Sequence, residues 1–382
     1  MRAWVRIGVM AGFGLCSGIA RAELALSSND SHTVLVDGAQ FSPPNAGADT
    51  LTLIDMAAYP PAIVTTIDVP GSVVGPPMAV AMARDESFAI VTSATKVDPA
   101  GPSGISPDNR VSVVDLTAKP PAIVQSLTAG AGAGTVRISP DGTLALVANR
   151  FAGTVSVFTV KDHRLTPSGT LKFDAKSLPS GIAFTPDGKS ALVSLNGGNA
   201  VSVLTIEGEA VTIDPRPITT GVAPYTLDIS PDGQLAAVGN MGRGDGDIDS
   251  VSLIDLSMTP FRTIQTMSVG RSPEGVKWSP DGKFLAIGAQ NGTTKLPSNP
   301  FYQERGRLIM LALDAKSLRF VTEAPIGRWS QGIVFSKDGR TVLVQNMVER
   351  NIMVFRWDGL KLFASNPLEI GAGPAAITTS WP

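Results

Sequence analysis

The chain has 382 residues, 43% of them hydrophobic and 17% charged, so it can bury a sizeable core, and its 39 glycines and 29 prolines point to tight turns rather than long helices. A formal net charge of −2 gives no general attraction to nucleic acid or anionic lipid. One cysteine among 382 residues rules out an internal disulfide and a cysteine zinc cage.

The first 22 residues read as a signal peptide. Arg2 and Arg6 precede an apolar, glycine-containing run over 7–19, and Ala20-Arg21-Ala22 supplies a small-x-small cleavage site. The run is shorter than the ~20 residues a membrane span needs, so no transmembrane segment is expected after cleavage. Bulky Leu15 before Cys16 fits poorly with lipid attachment. The mature chain, 23–382, is therefore expected to be periplasmic or secreted. It lacks Cys16 and carries 28 Lys+Arg against 33 Asp+Glu.

Beyond residue 23 one unit recurs: a short apolar run, a Ser/Thr-Pro-Asp-Gly turn, a second apolar run, a loop, then an alternating run. The clear turns contain Asp141, Asp187, Asp232 and Asp281, with Asp338 lacking only the proline, while Asp85 and Asp30 mark degenerate copies. Proline fixes φ early in such a turn, Asp bonds the backbone further on, and Gly takes the left-handed position. The seven aspartates lie 45 to 57 residues apart, the period of a four-stranded propeller blade. Alternating third strands such as Thr154–Phe158 and Val251–Ile254 fit this, as does the near-duplication of 53–64 in 113–124. The expected fold is all-β: a seven-bladed β-propeller, four antiparallel strands per blade, over 23–382. Leu24–Ser28 and Ala375–Trp381 make eight first-strand candidates for seven blades, so the two termini are expected to close the ring together.

The segment from Ile138 through Asn149, followed by Gly153-Thr154-Val155-Ser156-Val157-Phe158, resembles the YVTN-type repeat of bacterial propellers, a superfamily that includes the lactonase-like propellers. The resemblance spans nearly all of the mature chain and implies the fold. The His-Pro-His and Pro-Asp-Leu-Gly-like stretches usual in lactonase-type propellers are absent, so no catalytic residue is carried over.

In such a ring the loops from second to third strands share one face with the blade-to-blade connections. Three of these loops are short (150–153, 196–199, 347–351) and four are long (38–48, 95–109, 241–249, 290–306), which suits a binding face. Residues opening the first strands would ring the channel mouth there: Tyr225, Arg271, Glu274, Arg328, Trp329 and Gln331, with Arg150 and Arg243 on nearby loops. Arginines around one mouth suit a carboxylate or phosphate ligand; Glu274 as their ion-pair partner is the plainer alternative. Asn149, Asn240 and Asn346 each fall eight residues after a turn aspartate and are expected to cap backbone.

No cofactor or metal is expected. Asp245, Asp247 and Asp249 could converge on a cation, but Ser250 and Leu256 stand where an EF-hand needs Gly and Glu, so a solvated loop is favoured. His32 and His163 make no evident zinc site, and covalent haem, phosphate-loop, dinucleotide and nucleophile-elbow signatures are missing. The leading expectation is an exported binding propeller that presents its long-loop face to a small anionic ligand or a partner protein segment, with no nucleic-acid partner. The alternative is a lactonase-type hydrolase with Glu274 as base and Arg271 or Arg328 as electrostatic partner. The sequence leaves open whether the protein is an enzyme, and its oligomeric state.

Overall fold

A computed structural model describes residues 23–36, 38–174 and 176–381; the signal-peptide expectation for 1–22 falls outside them. Among the described residues seven antiparallel sheets of four successive strands follow one another along the chain, each running from an inner strand to an outer one, and the fourth adds the short strand Ile218–Thr219 against its third strand. The third blade is representative, with Ala133–Ile138 innermost, then Leu144–Asn149, Thr154–Lys161 and Arg164–Lys172. Second strands such as Leu144–Asn149 and Thr341–Asn346 are buried at every residue, whereas fourth strands such as Ala62–Asp68 are largely exposed. Burial thus falls from axis to rim, because each blade is covered on both faces near the axis. Among the described residues seven apolar clusters occupy the spaces between neighbouring blades, and an eighth lies among the connections at one mouth; one of the seven sets Trp278 of the sixth blade against Leu235 and Leu253 of the fifth. Pro102–Gly104, a single 3₁₀ turn, is the only helix among the described residues.

The recurring turn satisfies its own polar groups. The Ser139 hydroxyl donates to Asp141 at 2.6 Å and accepts from the Leu144 amide, while Asp141 accepts from the Thr143 amide and hydroxyl. Thr185, Ser230, Ser279 and Ser336 repeat the contact with their own turn aspartates. Gly142 holds a φ of 75°, which a side chain would strain.

The first blade departs from this scheme. Its innermost strand is Gly373–Thr379, from the C-terminus, and Leu24–Asp30 pairs between it and Thr50–Asp55, with Ala62–Asp68 outermost. Asp30 was expected at a first-to-second turn. It lies instead at the opposite end of a second strand, because the chain's two ends stand where that turn would be. The residue matching Asn149, Asn240 and Asn346 there is Asn29. The Asn29 Nδ2 donates to Thr50 and Thr52, Asn149 to Thr154 and Ser156, and Asn240 to Ser250 and Ser252, so these amides tie second strands to third.

A glycine from the preceding connection packs on three of these asparagines. A Cβ on Gly221 would stand 2.6 Å from Asn240 Nδ2, and one on Gly327 2.5 Å from Asn346 Cγ. Gly221→Ala is therefore expected to destabilise by about 1–3 kcal/mol, read as a lower urea midpoint at unchanged slope; an unshifted midpoint would refute the close packing.

All four long loops gather at one end of the channel. The first carries a small hairpin, Val34–Val36 with Ala39–Phe41. The second is shorter than expected, since Phe88–Val97 and Ile105–Asp115 continue as paired strands to 97 and 105.

Candidate functional site

The inner strands of blades five, six and seven open at the long-loop end with Pro224-Tyr225, Pro273-Glu274 and Ser330-Gln331. Above them lies a cavity of about 510 Å³, bordered by Arg150, Tyr225, Glu274, Gln290, Lys295 and Trp329, with Leu35 and Gln40 of the hairpin over it. This volume is in the range of small-molecule sites.

Glu274 is 3% exposed. It accepts a hydrogen bond from the Gln290 side-chain amide, and the Gln331 amide stands on it as well. Burial pushes its pKa up to about 8, and the two amides only partly oppose that. Both partners are neutral, so they replace only part of the hydration its anion loses. The buried Oε1 of Gln331 has no hydrogen-bond partner among the described residues.

Tyr225 is also buried. Burial raises its phenol well above the usual range; the Arg150 charge opposes this, and Glu274 adds to it. The phenol therefore keeps its proton and remains a donor, while its oxygen is bonded by the Gly75 amide. Arg150 lies over the Tyr225 ring, 5.4 Å from its centre, and its guanidinium donates to Ser180 Oγ at 2.6 Å and Asn196 Oδ1 at 2.8 Å. A fixed cation, a phenol and a proton-bearing carboxyl thus meet at one small cavity.

Of the eight residues the sequence placed at the mouth, Arg150, Tyr225, Glu274 and Trp329 border this cavity, and Gln331 sits behind Glu274. Three arginines do not border it. Arg328 pairs with Glu349 at 2.9 Å rather than with Glu274. Arg271 donates to the Gly246 carbonyl and lies over Phe301, tying two long loops together. Arg243 is exposed on its loop. Trp329 packs with Val73, Met347 and Ala375, so it serves as wall. Sequence reasoning missed Gln290 and Lys295. Gln290 follows a second strand directly, a legible position, whereas Lys295 reaches the cavity only through the path of a long loop, where its Nζ donates to Gly244.

Asp245 and Asp247 are exposed, and Asp249 accepts from the Ser272 amide. A tighter group lies elsewhere: Asp30, His32 and Asp49 bring their ligand atoms within 4.8 Å of one another. His32 Nδ1 is 2.8 Å from Asp49, while Asp30 accepts from the amides of His32, Thr33 and Val73. These contacts make it a clasp between the first-blade loop and the next connection.

Fold and cavity together define a seven-bladed propeller with a polar pocket at one channel mouth. Part of the chain is similar to the lactonase-like propellers: the family described as Lactonase, 7-bladed beta-propeller matches over residues 109–209, from the third strand of blade two through the third of blade four. No curated protein sequence matches. Among solved structures, a Bacteroides uniformis protein provisionally assigned as a 6-phosphogluconolactonase is similar over 94% of this chain and 99% of its own, at 15% identity and a TM-score of 0.73. The periplasmic gluconolactonase of Pseudomonas aeruginosa is similar over 94% and 98%, at 18% identity and a TM-score of 0.70. Hydrazine synthase of Kuenenia stuttgartiensis also shares the fold, over 81% and 90%, at 19% identity and a TM-score of 0.63. Identities this low speak for architecture alone. Among the described residues no helix is long and apolar enough to cross a membrane.

Proposed function

We propose that this chain is an exported lactone hydrolase that opens its substrate's ring in the long-loop cavity. The observation that carries the reading is Glu274, a buried carboxyl with a pKa near 8 on the wall of a pocket that also holds Arg150 and Tyr225. A base with a pKa close to the working pH is well matched to moving a proton from water. The lactonase family match and the gluconolactonase among the structural neighbours favour hydrolysis over binding alone.

In the proposed reaction, ionised Glu274 takes a proton from water as its oxygen adds to the lactone carbonyl carbon. Negative charge on the former carbonyl oxygen is met by the Tyr225 hydroxyl and the Arg150 guanidinium. Collapse of the tetrahedral intermediate breaks the bond to the ring oxygen, which takes the proton back from Glu274. The product is an open-chain hydroxy acid. Arg150 here replaces Arg271 and Arg328, whose side chains are engaged elsewhere.

The test is acid release from a panel of five- and six-membered aldonolactones by the chain starting at residue 23. The expected result is saturable turnover above the uncatalysed rate. No turnover of any lactone at pH 8, with ligands still raising the melting temperature, would overturn hydrolysis and leave the binding-protein reading.

A further inference from the structure

The opposite end of the channel, where the Ser-Pro-Asp-Gly turns lie, holds a cavity of about 470 Å³ that the proposed reaction does not use. The two cavities share inner strands but not residues. Tyr225 and Glu274 border the first, while their neighbours Thr226 and Gly275 border the second. Four residues before each turn aspartate comes a ring position at this mouth. It is Arg137 in the third blade, Asp228 in the fifth and Lys277 in the sixth.

These three charges do not cancel. Asp228 is taken: its Oδ2 accepts from the Trp278 amide at 2.9 Å and stands 3.2 Å from Lys277 Nζ, so Lys277 is already offset. Arg137 has no ion pair among the described residues, although it lies deep enough for burial to lower its pKa to about 10, an effect the Asp228 charge only partly opposes. Its Nη1 donates to the carbonyls of Met78, Val80 and Val136, which fixes the guanidinium in place. Nε and Nη2 have no acceptor among the described residues, and they form the edge that grips a carboxylate with two parallel bonds. A second, independent sign is Thr226, a 4% exposed residue of the cavity wall, whose buried Oγ1 has no hydrogen-bond partner among the described residues. Uncompensated cations and unpaired hydroxyls are costly in such surroundings. Met78, Leu227, Ile333 and Ile377 add an apolar stretch to the wall.

We infer that the turn-side mouth is a separate binding site for a small carboxylate with an apolar body, held by Arg137 and Thr226. The bound anion supplies the charge that Arg137 lacks and an acceptor for the threonine hydroxyl, while the apolar wall covers its hydrocarbon part. The rim sets Arg84 and Lys161 against Asp85, Asp141 and Asp162, so it offers an anion no net attraction and selectivity comes from the interior group.

The experiment is thermal shift and calorimetric titration of the chain from residue 23 with acetate, benzoate and succinate, using chloride and inorganic phosphate as controls at matched ionic strength. Benzoate is expected to bind wild type at least tenfold more tightly than Arg137→Lys, which keeps charge but loses the fork. Thr226→Val should weaken it severalfold and Glu274→Gln should leave it unchanged. The last arm separates this site from the hydrolytic one, so lack of lactone turnover would not touch it. Equal binding by wild type, Arg137→Lys and Thr226→Val overturns the inference, as does binding lost only in Glu274→Gln. A response to phosphate and chloride equal to that for benzoate would mean charge screening alone and would overturn it too. Arg137→Gln tests full charge loss; should it fail to fold, the lysine and valine variants still decide the matter.

Discussion

Glu274→Gln is expected to unfold at higher urea than wild type at pH 9, and at nearly the same urea at pH 5. In the folded protein the Glu274 carboxyl has a pKa of about 8, because burial disfavours its charge, against an ordinary value of 4.5. Below 4.5 both states hold the proton and the neutral acid contributes fully. Between 4.5 and 8 only the folded state holds it, so each rise in pH favours unfolding; above 8 both states are ionised and the dependence ends. At roughly 1.4 kcal/mol per pKa unit the whole window amounts to something on the order of 5 kcal/mol. Glutamine keeps the shape and the neutral hydrogen-bonding pattern without the titration, so its stability should lack this part of the pH dependence and keep only what groups such as His32 and Asp30 contribute. Urea midpoints at pH 5, 7 and 9 decide the point. Parallel curves for the two proteins would show that Glu274 ionises without penalty.

The second large effect concerns turnover. The same substitution should lower kcat/KM for an opened lactone by about 10²–10⁴-fold, the range that general-base removal commonly costs. Wild-type kcat/KM should rise tenfold per pH unit below 8 and level off above it, since only ionised Glu274 can take the water proton. Tyr225→Phe keeps the ring under Arg150 but removes the donor, and should cost about 10–10³-fold, chiefly in kcat. A wild-type profile flat from pH 6 to 9, or a glutamine variant with full activity, would remove Glu274 from the chemistry. These readings need the uncatalysed rate subtracted at each pH, because lactones also open in alkali.

Architecture was largely legible in the residues because the turn chemistry is local. Ser139, Asp141 and Gly142 bond one another, so the repeat can be read without any long-range information. Closure was legible only as a count. Eight first-strand candidates for seven blades required a shared blade, but which end lies inside depends on pairing across more than 300 residues of sequence, as in Ala25 with Thr379. That ambiguity also misplaced Asp30.

The site was half legible for the same reason. Tyr225 and Glu274 open inner strands, and strand register carries them to the mouth. Arg271 and Arg328 occupy comparable places in the sequence, yet their long side chains follow partners such as Gly246 and Glu349 that no pattern reveals. Lys295 depends on the course of a sixteen-residue connection between Ala289 and Gly306. Arg137 was hidden by its ordinariness, a single cation in an apolar strand whose lack of an ion pair among the described residues shows only in three dimensions.

Both large effects rest on one property, a proton that Glu274 retains into the neutral range. Carbon-13 NMR of protein labelled at glutamate side chains, with Glu274→Gln used to assign the signal, reads that carboxyl directly. A midpoint near pH 8 is the expected result. A midpoint close to 4.5 would mean that the carboxyl ionises as readily as one in water, and would contradict both the stability inversion and the proposed base.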